Sequence, residues 1–123
     1  MSVRAVKYEL EAKLIGESSG HFSKPSGKVE RKSYSDGTER LKISVRNLKA
    51  LKQSTAIIKV DSQEIAQLSL IKGSGRLDDE SKDPTALPTL EAGQTIKVFV
   101  DGAQVLSGDL CVDCTLLLIR IST

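Results

Sequence analysis

The feature that most constrains this chain is a strict two-residue alternation of apolar and polar side chains. Val6, Tyr8, Leu10, Ala12 and Leu14 fall on one side of an extended segment, and Lys7, Glu9, Glu11 and Lys13 on the other. Leu41, Ile43 and Val45 alternate with Lys42, Ser44 and Arg46. Ile96, Val98 and Val100 alternate with Lys97, Phe99 and Asp101. Successive side chains on a strand point to opposite faces, whereas a helix repeats its apolar positions every three to four residues, so these segments read as half-buried strands. Shorter strands fit around Val29, 57–60, 65–70, Leu77, 105–110 and 116–121, which makes eight or nine. The one stretch with helical character, 47–54, is too short to matter.

Turn residues punctuate the strands at short intervals, as in sandwiches and barrels. The pattern therefore predicts an all-β fold, an antiparallel β-sandwich of about eight strands, with a small closed β-barrel as the alternative. A chain of 123 residues fills one domain, 1–123, with 111–123 as an added C-terminal strand. Its core should comprise Val6, Tyr8, Leu10, Val29, Leu41, Ile43, Val45, Ile58, Val60, Leu68, Leu70, Ile96, Val98, Val100 and Leu106. Two polar connections are long for a compact domain, 16–27 and 78–93, and such loops either bind or merely cross between sheets.

The hairpin around Asp36-Gly37 carries a register argument. A two-residue loop would set Leu41, Ile43 and Val45 against Lys32, Glu30 and Lys28. A three-residue loop, Ser35-Asp36-Gly37 with Gly37 left-handed, pairs Tyr34 with Thr38, Val29 with Ile43 and Glu30 with Lys42. Only the second register separates an apolar face from a charged one, so it is preferred. It turns Lys28, Lys32, Arg40, Lys42 and Arg46 outward together. A second local signal is an internal echo: Ile58-Lys-Val-Asp-Ser-Gln-Glu-Ile-Ala is similar to Val98-Phe-Val-Asp-Gly-Ala-Gln-Val-Leu. Both read as strand, Asp-led tight turn and returning strand, and so as two like hairpins, one in each sheet.

Little in the sequence carries reaction chemistry. There is one His, no Trp, two Tyr and two Phe. His21 lies near Ser18, Ser19 and Ser23, but no spacing fixes a nucleophile and base, so a small hydrolase using His21 is the weaker alternative. Cys111-Val-Asp-Cys114 could be half a zinc site or a redox pair. Zinc lacks further ligands, and on a strand residues three apart point to opposite faces, which leaves two half-buried thiols as the plainer reading. Asp78, Asp79, Glu80 and Asp83 form an acidic loop that could serve a calcium- or carbohydrate-binding surface module. It lacks the Asp-x-Asp-x-Asp-Gly spacing, Lys82 sits among the acids, and there is no Trp for sugar stacking. Gly73-Ser-Gly75, between Lys72 and Arg76, opens no helix and reads as a turn, not a phosphate loop. No cofactor or metal is expected.

Residues 27 to 110 resemble small all-β domains of unknown function found in bacterial proteins. The resemblance rests on Gly27-Lys-Val-Glu-Arg-Lys, Leu41-Lys-Ile-Ser-Val, Val60-Asp-Ser-Gln-Glu-Ile-Ala, Leu77-Asp, Leu87-Pro-Thr-Leu-Glu-Ala-Gly93, Ile96-Lys-Val-Phe-Val-Asp-Gly and Leu106-Ser-Gly108. Its most specific stretch runs from Pro88 to Gly108. The departures are Ser62 where the first hairpin turn should carry Gly, and the added tail after Leu110. The resemblance implies a fold and a binding or structural role, and no site residues.

Charge is divided unevenly along the chain. Residues 1–60 carry thirteen Lys/Arg and six Asp/Glu, residues 61–123 five and ten, and the whole +2. So small a net charge argues against nucleic acid as a partner. The N-terminus has no apolar signal region, and the longest apolar run, 116–119, is too short to insert in a membrane, so localisation stays open. The division fits either charge complementarity inside one molecule or a basic and an acidic face on opposite sheets. The latter would allow head-to-tail contact with a protein partner or with a second copy, as a homo-oligomer. The expected function is a non-catalytic binding or self-assembly module, not an enzyme. Its basic face would be Lys28, Lys32, Arg40, Lys42 and Arg46, and its acidic loop Asp78, Asp79, Glu80 and Asp83.

Overall fold

The computed structural model describes residues 6–16, 25–48, 54–83, 85–100 and 102–112. Among them lie nine strands and no helix: β1 (Val6–Ile15), β2 (Ser26–Tyr34), β3 (Glu39–Arg46), β4 (Ser54–Val60), β5 (Gln63–Leu70), β6 (Gly75–Ser81), β7 (Thr95–Val100), β8 (Ala103–Asp109) and β9 (Cys111–Val112). His21, Cys114, most of the helical candidate 47–54 and the strand expected at 116–121 fall outside the described residues.

All strands join one antiparallel sheet in the order β5-β4-β7-β8-β1-β2-β3-β6, with β9 also pairing β1. Its two end strands, β5 and β6, are consecutive in sequence and meet at a tight turn. There the Ile71 and Ser74 backbones exchange hydrogen bonds of 2.8 and 3.1 Å, with Lys72 and Gly73 at φ of 53° and 80°. The sheet thus curls until its ends touch. The all-β antiparallel expectation is met, and the sheet takes the barrel alternative, not two stacked layers. β5 and β6 meet at this turn, and among the described residues no ladder joins them beyond it.

The β2–β3 hairpin has the expected register. Val29 faces Ile43 and Glu30 faces Lys42. The Tyr34 amide donates to the Thr38 carbonyl at 2.8 Å, and Gly37 sits at φ 87°. Inside the curl, Leu10, Ala12, Leu14, Val29, Leu41, Ile43, Val45, Ile58, Leu68, Leu70, Ile96, Val98 and Leu106 form one buried cluster. Leu48, Leu87, Leu90 and Leu110 join it from connections. Two expected core residues do not: Val6 and Tyr8 are 48% and 44% exposed. The cause is local. The β1–β2 pairing slips between Val6 and Tyr8, and Tyr8 faces Ser33 at a rim that is polar. There Arg31, on the inner side of β2, donates to Glu39 at 2.9 Å and to the Pro88 carbonyl at 3.2 Å, and Ser33 also bonds Glu39. A buried guanidinium needs such partners, and together they close this end of the barrel.

The sequence echo becomes a structural one. β4–β5 and β7–β8 are both two-residue hairpins, Val60 pairing Gln63 and Val100 pairing Ala103. Each has a bulge at the same place, skipping Ile65 in one and Val105 in the other. The hairpins are neighbours in one sheet, not members of two sheets. β4 pairs β7 about Ile58↔Val98, the equivalent residues of the echo, so a local two-fold relates them.

Two stability predictions follow from these turns and crossings. Asp61 and Ser62 have φ of 50° and 69°, the left-handed geometry that this turn demands and that glycine adopts freely. Ser62→Gly should raise stability by about 1 kcal/mol, read as a higher denaturant midpoint at unchanged slope. A lower midpoint would contradict the turn assignment. At the β1–β8 crossing, a side-chain carbon on Gly108 would run into the Lys13 carbonyl. Gly108→Ala should therefore cost about 1–3 kcal/mol, and a neutral change would show that the strands do not approach so closely.

Candidate functional site on the outer face of β1, β2, β3 and β6

The register fixes which side chains share the outer face of β1, β2, β3 and β6, because opposed residues lie about 5 Å apart and point the same way. They form cross-strand rows. One row is Lys13, Lys28, Ser44 and Arg76, three cations and no anion. The next is Glu11, Glu30, Lys42 and Asp78. The third is Glu9, Lys32, Arg40 and Glu80. Beyond the cationic row, at the sheet's end, Arg46 pairs with Ser26. Charge is thus banded, with positive residues gathered toward the Arg46 end.

The acidic bands are engaged within the molecule. Glu30 accepts from Lys28 at 3.1 Å and Lys32 at 3.2 Å, and Lys28 also reaches Glu11 at 3.5 Å. Arg40 grips Asp78 with two parallel hydrogen bonds of 2.8 and 2.6 Å. The Glu30 carboxyl is opposed by partial burial, yet the two ammonium groups outweigh that and hold its pKa below the ordinary range. Bonding to Glu30 raises Lys28, and the same carboxylate raises Lys32 despite partial burial. Asp78 is held low by Arg40. Among the described residues, Lys13, Lys42, Arg46 and Arg76 have no salt-bridge partner.

All five residues of the expected basic face therefore do share one face. Three of them, Lys28, Lys32 and Arg40, are committed to carboxylates, and two, Lys42 and Arg46, are not. Sequence reading missed Lys13, Ser44 and Arg76. The alternation already turned Lys13 and Ser44 outward, but placing Arg76 beside Ser44 needs the β3–β6 pairing, which joins segments thirty-two residues apart.

The expected acidic loop is corrected. Asp78, Asp79 and Glu80 belong to strand β6, and the connection starts only at Lys82. β3 supplies a ladder along the whole of β6, so one side of its backbone is paired and it runs as a strand despite the acids. Their outward members lie beside the basic residues on the same face, not on an opposite sheet. Asp79 has the inner parity, opposite Leu41, but is exposed beside the parted edge. Asp83 stands apart and caps a turn, accepting from the Thr85 amide at 2.9 Å and hydroxyl at 2.7 Å, which keeps its pKa low. No group of three or more His, Cys, Asp or Glu is placed to hold a metal ion among the described residues. Cys111 is corrected too: it stands in a disulfide, not as a thiol. The strand geometry argued against pairing covers only Cys111–Val112.

The 82–94 connection crosses from β6 to β7, burying Leu87 and Leu90 over the barrel end. Gly73 lies in the β5–β6 turn, as expected for a turn and not a phosphate loop. No helix among the described residues is long and apolar enough to cross a membrane. Compared with known proteins, the chain matches no protein-family model and no curated sequence.

The Glu30 cluster gives a pH prediction. Its folded pKa is lowered, so the native state binds fewer protons than the unfolded one near pH 4, and stability rises with pH there. The contribution is complete above the ordinary glutamate value of about 4.3 and is lost as pH falls through the lower folded value. Glu30→Gln should cost about 1 kcal/mol at neutral pH, and the deficit should shrink at acid pH, as the native carboxyl takes up its proton below the ordinary glutamate range. Chemical denaturation at both pH values checks this; an equal deficit at each would mean that charge plays no part.

Proposed function

We propose that this protein is a non-catalytic binding module that holds an acidic protein partner against the Arg46 end of its charged face. A place among the bacterial all-β domains of unknown function fits that reading. The observation that carries it is the imbalance of the face: Glu30 and Asp78 are neutralised internally, while Lys13, Lys42, Arg46 and Arg76 remain available. An anionic partner gains most where no internal carboxylate competes. Basic and acidic residues sharing one face disfavour head-to-tail assembly, because Glu30 and Asp78, which lie beside the basic residues, are already bridged within the molecule.

The reading is tested with the full chain and poly-glutamate as the acidic probe, followed by calorimetry. Binding should be strongest at low salt and weaken as the Debye length falls from about 10 Å at 0.1 M to about 3 Å at 1 M. The double variant Arg46→Glu, Arg76→Glu should abolish it, and Lys97→Glu, on β7, should leave it unchanged. Equal weakening by both variants would overturn the assigned surface. Light scattering adds a second check: salt-sensitive dimers or larger species at high concentration would favour self-association instead.

A further inference from the structure

Ser44 lies at the centre of a cross of cationic side chains. Lys28 and Arg76 are its cross-strand partners on β2 and β6. Lys42 and Arg46 flank it at two-residue spacing along β3, on the same face. Lateral neighbours are about 5 Å away and neighbours along the strand about 7 Å, gaps that long side chains close. Two shallow depressions open here, both bordered by Ser44 and Arg76. One, of about 310 Å³, adds Lys28 and Lys42 together with the carboxylates of Glu30 and Asp78; the other, of about 370 Å³, adds Arg46 and Ser74 and has no acid in its lining.

Like charges opposed across a ladder are unfavourable, and Lys13 facing Lys28 lengthens the row. The nearest acids relieve little of this. Glu30 is bridged by Lys28 and Lys32 and Asp78 by Arg40, while Lys42 and Arg76 act on Asp78 without a salt bridge. Arg46, Lys42 and Arg76 are left exposed around an exposed hydroxyl.

The donor set indicates what would satisfy it. Two guanidinium forks, an ammonium and a hydroxyl approach from different directions, and none of the charged groups can accept a hydrogen bond. A carboxylate offers two coplanar oxygens and one charge. A phosphomonoester offers three oxygens in a tetrahedral spread and a charge near −2. Guanidinium groups bind such oxygens in pairs, and the Ser44 hydroxyl can donate to a third. We infer that the Ser44 cross is a binding site for a phosphate-type tetrahedral oxyanion, carried as a phosphomonoester on the acidic partner. This rests on the binding-module reading above and names the group that the module recognises. Arg46 and Arg76 grip the oxyanion, Ser44 donates to it, and Lys42 supplies charge from the adjoining row.

The experiment is a nuclear magnetic resonance titration of the full chain at constant ionic strength, with chloride as the balancing anion. Three probes are compared: inorganic phosphate, a short phosphoserine peptide, and the same peptide with glutamate. Phosphoserine should shift the signals of Ser44, Arg46 and Arg76 and bind about tenfold more tightly than glutamate. Arg46→Gln and Arg76→Gln should each weaken phosphoserine about tenfold, and Ser44→Ala about threefold. Lys97→Gln should have no effect. All of these side chains are exposed, so unchanged melting of the variants separates lost binding from lost folding.

Equal affinity for the phosphoserine and glutamate peptides would overturn the oxyanion site while leaving the acidic-partner reading intact. Binding of neither peptide would overturn both. Inorganic phosphate binding as tightly as the phosphopeptide would overturn the partner-borne source and leave the oxyanion site standing. Shifts spread over all basic residues would overturn the site itself.

Discussion

Gly37, at a φ of 87°, ends the three-residue turn that sets β2 against β3, and both faces of that hairpin inherit its register. A slip of one residue would carry Val29 outward and bring Lys28 or Glu30 against the core. With the register as it stands, Val29 meets Ile43 inside while Lys28 meets Ser44 and Glu30 meets Lys42 outside. The core and the banded charge are therefore two consequences of one turn. β6 then docks on the free edge of β3 in a register that lays Asp78 beside Lys42 and Arg76 beside Ser44.

The curl of the sheet and its polar rim answer to the same economy of backbone and charge. β5 and β6 would be open edges in a flat sheet, but the turn at Lys72 and Gly73 brings them together at one end. Where they part, the exposed charge of Asp79 on the edge strand β6 discourages another chain from adding there. At the barrel end, Arg31 uses the interior for a charge that Glu39 neutralises, and Val6 and Tyr8 stand exposed.

Much of this was legible in the sequence. Alternation located the principal strands, and the demand for one apolar face selected the β2–β3 register. The echo found two hairpins whose turns and bulges match. What stayed hidden was non-local. The β2–β3 register already gives Arg31 the inner parity of Val29, but not what it meets there, since Pro88 comes from a distant connection. The acids of β6 look like a loop because strand preference is low for Asp and Glu, and only the ladder offered by β3 overrides it. Alternation predicts a sandwich before a barrel because closure depends on how far the sheet curls, which alternation does not encode. For the site, five of the face's basic residues were found locally. Arg76 was not, and it is the residue that completes the cross around Ser44.

A binding surface of this kind depends on strand register more than on any single side chain. Cations from β2, β3 and β6 converge only while the three strands keep their alignment. The most direct measurement of the account is the set of cross-strand nuclear Overhauser contacts among these strands. The account predicts backbone contacts between Val29 and Ile43, Lys28 and Ser44, and Ser44 and Arg76. Contacts displaced by one residue, such as Lys28 with Val45 or Arg76 with Ile43, would turn the cationic row apart and contradict it.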